Sequence, residues 1–190
     1  MYSWAPNSDY FYTSDFVAGK TNGIGEYIWS NNDVYIGSWR NGKFSGKRKF
    51  TWNYTYNEYE GNWRNGKASG KGKYTWATGD IYEGDWVSDK RTGKGKLSYA
   101  NGDIYEGDWV SDKRTGKGKL SYAIGYIYQG DWVDGKMHGK GKWTDWDGST
   151  YQGGWADDER HGRGKYKRAS SDVFDGYIVK GNWVKGEYQG

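Results

Sequence analysis

Three places in this 190-residue chain have residue types and spacings that could carry chemistry, and none stands out from the pattern around it. Gly19-Lys20-Thr21 has the ending of a phosphate-binding loop, but that pattern needs a glycine where Ser14 stands, and the Gly-Lys-Gly triplets downstream sit in strand-like alternation. His138 and His161 could be a metal pair. They are 23 residues apart, a spacing that recurs throughout the chain, so they occupy one position of successive repeats. Asp145-Trp146-Asp147-Gly148 opens like a calcium loop, lacks the downstream glutamate of one, and falls where every repeat has its connecting turn. No nucleophile is paired with a base. The sequence predicts no catalytic residue, no metal site and no cofactor, hence a protein that is not an enzyme.

The elements that carry these residues are repeats. Gly79 to Ala100 reads GDIYEGDWVSDKRTGKGKLSYA, and Gly102 to Ala123 repeats it letter for letter at an offset of 23. A Tyr-x-Gly-x-Trp core begins at Tyr35, Tyr59, Tyr82, Tyr105, Tyr128 and Tyr151 and ends at Trp39, Trp63, Trp86, Trp109, Trp132 and Trp155. Tyr12 starts a degenerate first copy, with Ser14 and Phe16 in place of Gly and Trp, and Val179-x-Gly181-x-Trp183 restarts the motif after a 28-residue gap. The array therefore runs over residues 12–190 after a lead-in at 1–11, with units starting near 12, 35, 59, 82, 105, 128, 151 and 179. It stops at Gly190, halfway through a unit, as an excised fragment or a blunt end would.

Composition says what holds such units together. Hydrophobic residues are 34% of the chain, and 19 Tyr, 13 Trp and 5 Phe stand against 32 Gly, so rings laid over glycine must supply the burial that aliphatic side chains usually provide. There is no cysteine, no leader-like start and no stretch near the roughly 20 apolar residues of a spanning helix. A soluble, cytoplasmic protein is expected.

Each unit reads as a β-hairpin. Tyr82, Gly84 and Trp86 alternate with Glu83, Asp85 and Val87, and Gly93, Gly95, Leu97 and Tyr99 alternate with Lys94, Lys96 and Ser98. The turn is expected at Asp89-Lys90, with equivalents Gly42-Lys43, Gly66-Lys67 and Gly135-Lys136; glycine first suits a type II′ turn. That register sets Trp86 opposite Gly93 and Gly84 opposite Gly95. An inter-repeat loop of three or five residues, with Gly102 at positive φ, would then bring Tyr99 opposite Tyr105 and Trp109 opposite Gly95, roofing each Gly-x-Gly with tryptophan from both sides. The predicted fold class is all-β: an elongated single-layer antiparallel meander of tandem 23-residue hairpins, an open twisted sheet of about 16 strands. Its other face is a ladder of Glu83 and Asp85 against Lys94 and Lys96, repeated in the next unit.

Tyr128-Gln-Gly-Asp-Trp-Val-Asp-Gly-Lys-Met-His-Gly-Lys-Gly141 resembles the MORN (membrane occupation and recognition nexus) repeat, and the resemblance extends from about Tyr12 to Gly190. Departures are Ser14 and Phe16, Arg48 at a Gly position, Asp89, Asp112 and Asp158 at the turn Gly, and the insertion before Val179. The resemblance implies an interaction role, at the cytoskeleton or a membrane surface. Where family members are enzymes, a separate domain carries the catalysis.

Two functions follow as expectations. The first is a scaffold that takes a helix or strand of a partner protein along the aromatic-glycine face, using Tyr35, Trp39, Tyr59, Trp63, Tyr82, Trp86, Tyr105, Trp109, Tyr128, Trp132, Tyr151 and Trp155. The alternative is a peripheral membrane module that binds anionic phospholipid, or an acidic partner, through Arg40, Lys43, Lys47, Arg48 and Lys49, and more weakly through Arg163, Lys165 and Lys167. The second unit, residues 35–58, holds five bases and one acid, a surplus of +4 equal to that of the whole chain. Nucleic acid is disfavoured because acids are interleaved with the lysines. An unpaired C-terminal edge predicts homodimerisation.

Overall fold

A computed structural model describes residues 10–170 and 177–190, residues 10–16 by their backbone. Most of the lead-in, and most of the insertion ahead of Val179, lie outside the described residues. The regular structure is all β: β1 (Tyr10–Val17), β2 (Lys20–Ile28), β3 (Val34–Arg40), β4 (Lys43–Trp52), β5 (Asn57–Arg64), β6 (Lys67–Thr75), β7 (Ile81–Val87), β8 (Lys90–Ser98), β9 (Ile104–Val110), β10 (Lys113–Ser121), β11 (Ile127–Val133), β12 (Lys136–Thr144), β13 (Thr150–Ala156), β14 (Glu159–Lys167), β15 (Ile178–Val184) and β16 (Glu187–Tyr188). Strand order in the sheet is chain order, with antiparallel pairing, the expected meander. The chain divides into two compact units, Met1–Gly95 and Lys96–Gly190.

The hairpin turns lie one residue earlier than the sequence reading placed them. Arg40 pairs with Lys43 and Arg64 with Lys67, as Val110 does with Lys113 and Val133 with Lys136. The loops are therefore Asn41-Gly42, Asn65-Gly66, Ser111-Asp112 and Asp134-Gly135. Both loop residues have positive φ, 51° and 76° at Asn41-Gly42 and 47° and 71° at Ser111-Asp112, which makes the turn type I′ and rules out II′. Where aspartate replaces the second glycine, its carboxylate is used. Asp89 Oδ1 accepts the Ala68 N–H at 2.7 Å and Asp158 Oδ1 the Met137 N–H at 2.7 Å, tying each turn to the preceding hairpin.

In the hairpins β3–β4, β5–β6, β9–β10, β11–β12 and β13–β14 the pairing slips by two residues, and in the degenerate first hairpin, β1–β2, by one. Asp108 lies opposite Thr115 but Gly107 opposite Gly118, so Gly116 and Lys117 bulge. The same slip separates the Trp63–Ala68 and Gly61–Gly72 pairs. Two extra residues preserve the alternation of faces, whereas one would flip it. The first Gly of Gly-x-Gly makes the bend, at φ 57° for Gly116 and 73° for Gly70, a backbone conformation costly for most other residues. The Gly–Gly pairing was expected; the tryptophan pairing needs correction. Within its hairpin Trp63 faces Ala68, Trp109 faces Arg114 and Trp132 faces Met137. The Gly that each Trp faces is the first glycine of the preceding Gly-x-Gly, as in Gly70 with Trp86 and Gly116 with Trp132.

Between hairpins Ser121 pairs with Ile127, leaving a loop of the odd length expected, with φ 94° at Gly125 and 91° at Gly102. Leu120 is what faces Tyr128. The equivalent tyrosine, Tyr99, is a loop residue that accepts the Gly102 N–H at 2.9 Å, and is not opposite Tyr105.

The core of each unit lies on one sheet face. Tyrosine, not tryptophan, covers the paired glycines: a Cβ added to Gly118 would stand 2.6 Å from Tyr105 Cε2. The phenol donates three residues along its own strand, Tyr59 to the Asn62 carbonyl at 3.2 Å and Tyr128 to that of Asp131 at 2.9 Å. Tryptophans stand edge-on at either side of it. Tyr59 meets Trp63 at 5.0 Å and Trp86 at 5.3 Å, and Tyr105 meets Trp109 at 5.3 Å and Trp132 at 5.1 Å, all within 7° of perpendicular. Such pairs contribute about 0.5–1.5 kcal/mol each beyond their buried area.

Candidate functional site

The twelve rings expected to meet a partner are 0 to 8% exposed. They form the core, because each is covered by the hairpins on both sides, and a partner cannot reach them without displacing that packing. What the same face leaves half-buried is a second rank two residues beyond the inner side chain of the returning strand: Trp29, Trp52 and Trp76 in the N-terminal unit, Tyr99 and Tyr122 in the C-terminal one. Trp52 lies 5.6 Å from Tyr74 and Tyr74 lies 4.5 Å from Trp76, so the rank is apolar and continuous there. Tyr122 lies 5.7 Å from Trp143, the inner ring of the next returning strand, which faces Tyr151. The signal for this rank was present in Phe50-x-Trp52 and Tyr74-x-Trp76. Guanidinium groups share the face, with Arg91 5.6 Å from the Trp76 ring and Arg114 4.4 Å from that of Trp132.

The opposite face is an ion-pair ladder. Lys71 meets Asp85 at 2.8 Å, Lys117 meets Asp131, and Lys96 lies 3.6 Å from Glu106. In the middle repeats the aspartate before the tryptophan, Asp85, Asp108 or Asp131, also closes the bulge. Asp85 Oδ2 accepts the Lys94 N–H at 3.1 Å and Asp131 Oδ2 the Lys140 N–H at 2.8 Å. Partial desolvation pushes the Asp131 carboxyl up, but the hydrogen bonds from Lys117 and Lys140 outweigh it and hold the group below the usual carboxylate range.

The basic residues singled out in the sequence are all exposed, yet they do not form one cluster. Lys47 lies opposite Asn62 and Lys49 opposite Glu60, while Arg48, opposite Gly61, belongs to the aromatic face. Glu58 of the next strand, the one acid of the second unit, pairs with Lys49 at 2.7 Å. Arg40 and Lys43 instead join Lys20 and Arg64 around a cleft of about 740 Å³ at the hairpin-turn edge. Arg163, Lys165 and Lys167 line the polar face of β14, with Lys165 opposite Lys180 of β15.

His138 lies opposite Asp131 in the bulge. Among the described residues no group of three or more His, Cys, Asp or Glu is placed to hold a metal ion. Asp147 accepts the Ser149 N–H at 2.8 Å and its hydroxyl at 3.0 Å, bonds that lower its carboxyl below the usual range and make this stretch a turn.

Stacked antiparallel hairpins that bury tyrosine over paired glycines define a tandem β-hairpin repeat protein. The chain belongs to the MORN-repeat family, whose profile matches residues 12–34, 35–53, 59–81, 82–104, 105–125, 128–150 and 151–173. No curated protein matches it. Similar solved structures include the TCP domain of Drosophila melanogaster SAS-4 (dCPAP) in complex with a proline-rich motif of Ana2 (dSTIL), at 15% identity over 94% of this chain and 97% of that one, with TM-score 0.48. Another is the wild-type TCP10 domain of Danio rerio CPAP in complex with a STIL peptide, at 9% identity over 85% and 84%, with TM-score 0.28.

Proposed function

We propose that the chain is a non-catalytic scaffold that binds a partner protein through the outer aromatic rank rather than through the buried rings. The supporting observation is the row Trp29, Trp52 and Trp76, half-buried and set one repeat apart. Successive hairpins lie about 10 Å apart at two strand spacings, which matches two turns of a helix or three residues of an extended segment laid across the row. Rigid amphipathic rings of this kind dominate binding energy at protein interfaces. A photo-crosslinking amino acid placed in cells at Trp52 or Trp76 is expected to capture a discrete partner, and the same group at Lys73, on the polar face, to capture far less. Trp52→Ser with Trp76→Ser should abolish capture from Trp29. Equal capture from both faces defeats the reading.

A second reading, association with anionic phospholipid, is favoured by the row Arg163, Lys165 and Lys167, whose central member faces Lys180 rather than an acid. Flotation with phosphatidylserine-containing vesicles separates the two: a lipid-binding protein floats, and does so less at high salt.

A further inference from the structure

The same edge position is built differently in the two units. In the C-terminal unit the lysines after the first two hairpin turns are each answered by an aspartate at the next turn, Lys113 by Asp134 at 2.9 Å and Lys136 by Asp157 at 3.3 Å. In the N-terminal unit the corresponding turn residues carry no charge: Asn41 for Lys20, Asn65 for Lys43 and Ser88 for Lys67. Arginine is added as well, Arg40 and Arg64 standing where the middle repeats have Val87, Val110 and Val133. Arg40 is thereby set directly across from Lys43, and Arg64 from Lys67. Like charges facing each other in a sheet are destabilising, and a fold that uses valine at this position elsewhere does not need them.

Four of these cations, Lys20, Arg40, Lys43 and Arg64, line the cleft of about 740 Å³, together with Asn41 and Asn65 and the rings of Phe44 and Trp63. Among the described residues no carboxylate lines it. Its volume is that of a site for a ligand or a short peptide segment.

We propose that this cleft binds an extended acidic segment of a partner protein, with carboxylates on the four cations and an apolar side chain against the half-buried Phe44 ring. Neighbouring hairpins repeat at about 10 Å, and in an extended chain of three residues per turn, acids at i and i+3 lie on one side about 9 Å apart. Acids at every third residue therefore match the rows. The cleft is concave with rings in its lining, a shape that accepts side chains rather than the plane of a bilayer surface. The proposal rests on the protein-partner reading and places a second contact on a different edge.

The test uses the whole chain and a fluorescein-labelled peptide with Glu at every third position and one central Leu, followed by anisotropy at several salt concentrations. Saturable binding that weakens with salt is expected. Arg40→Glu with Lys43→Glu should weaken it about tenfold or more, and Lys113→Glu with Lys136→Glu less than about twofold. All four positions are exposed, and near-ultraviolet circular dichroism confirms that each variant folds. No saturable binding, equal losses from both double variants, or equal binding of a peptide with Gln for Glu overturns the proposal. So does binding to phosphatidylcholine vesicles doped with phosphatidylserine, lost in Arg40→Glu with Lys43→Glu, when the peptide does not bind; the cleft is then a lipid site. Trp52→Ser with Trp76→Ser should leave peptide binding intact, so failure of the cleft and failure of the aromatic rank are read separately.

Discussion

A single methyl group tests the packing at the residue scale. Gly118 is not held at positive φ, so its identity is set by space: the Tyr105 ring lies along its Cα, and a Cβ would come within 2.6 Å of Cε2. Gly118→Ala should cost about 1–3 kcal/mol, the usual penalty of overpacking, measured as a shift in the urea midpoint at constant slope. A change within about 0.5 kcal/mol would mean that the ring moves aside freely. The chain contains its own exception. In the second repeat Arg48 stands where the glycine would be, and there Tyr35 stacks on Phe44 at 4.0 Å and 14° between planes. That glycine and rings would pair was legible in Tyr-x-Gly-x-Trp; which ring covers the glycine was not. Alternation assigns a side chain to a face and does not say in which direction along the strand it leans. The same limit explains why the twelve rings were read as accessible. Tyr128 and Trp132 are buried by strands on either side, a covering that the pattern of one strand does not display.

At the element scale the repeat period, the hairpin and the odd inter-repeat loop were all legible, and the two-residue bulge was not. The reason is parity. Because Gly116 and Lys117 are inserted as a pair, Gly116, Gly118 and Leu120 continue to alternate as though the ladder were regular. The turn left a clearer trace, since Asn41-Gly42 and Asn65-Gly66 are the dipeptide that type I′ prefers. Deleting Gly102 to Ile124, 23 residues, removes one full period and should leave a folded protein, because each hairpin packs mainly against its neighbours. Deleting Glu106 alone, inside β9 where no loop can absorb the change as the 24-residue second repeat does, puts Trp109 out of alternation with Tyr105 and turns a ring outward. Loss of near-ultraviolet circular dichroism and of urea cooperativity is expected for the second deletion alone; like behaviour of the two would show that register does not govern the array.

Among the described residues the most deeply buried side chains are mostly tyrosines, and this fixes how the whole molecule should fail in alkali. Burial pushes the Tyr35 phenol up from 10.0 to about 12, against the opposing pull of the Ser45 backbone and of the Arg48 charge. Desolvation raises Tyr59 in the N-terminal unit, and Tyr105, Tyr128 and Tyr151 in the C-terminal unit, in the same direction. For a group whose folded pKa lies above its unfolded value, the stabilisation is complete below the unfolded value and is lost as pH rises through the folded one. Stability to urea should therefore fall steeply as pH rises from about 10 to 12, where several core phenols in each unit release protons only on unfolding. Lysines lose their charge over the same range, but their pairs here are exposed and such pairs contribute about 0–1 kcal/mol. Tyr128→Phe separates the two causes. It removes one titrating phenol, and with it the hydrogen bond to the Asp131 carbonyl, so the variant should be weaker at neutral pH yet lose stability less steeply in alkali, by up to about one proton in the slope. Phenolate absorbance should rise together with the loss of near-ultraviolet circular dichroism. An unchanged alkaline slope in Tyr128→Phe would assign the transition to the lysines instead.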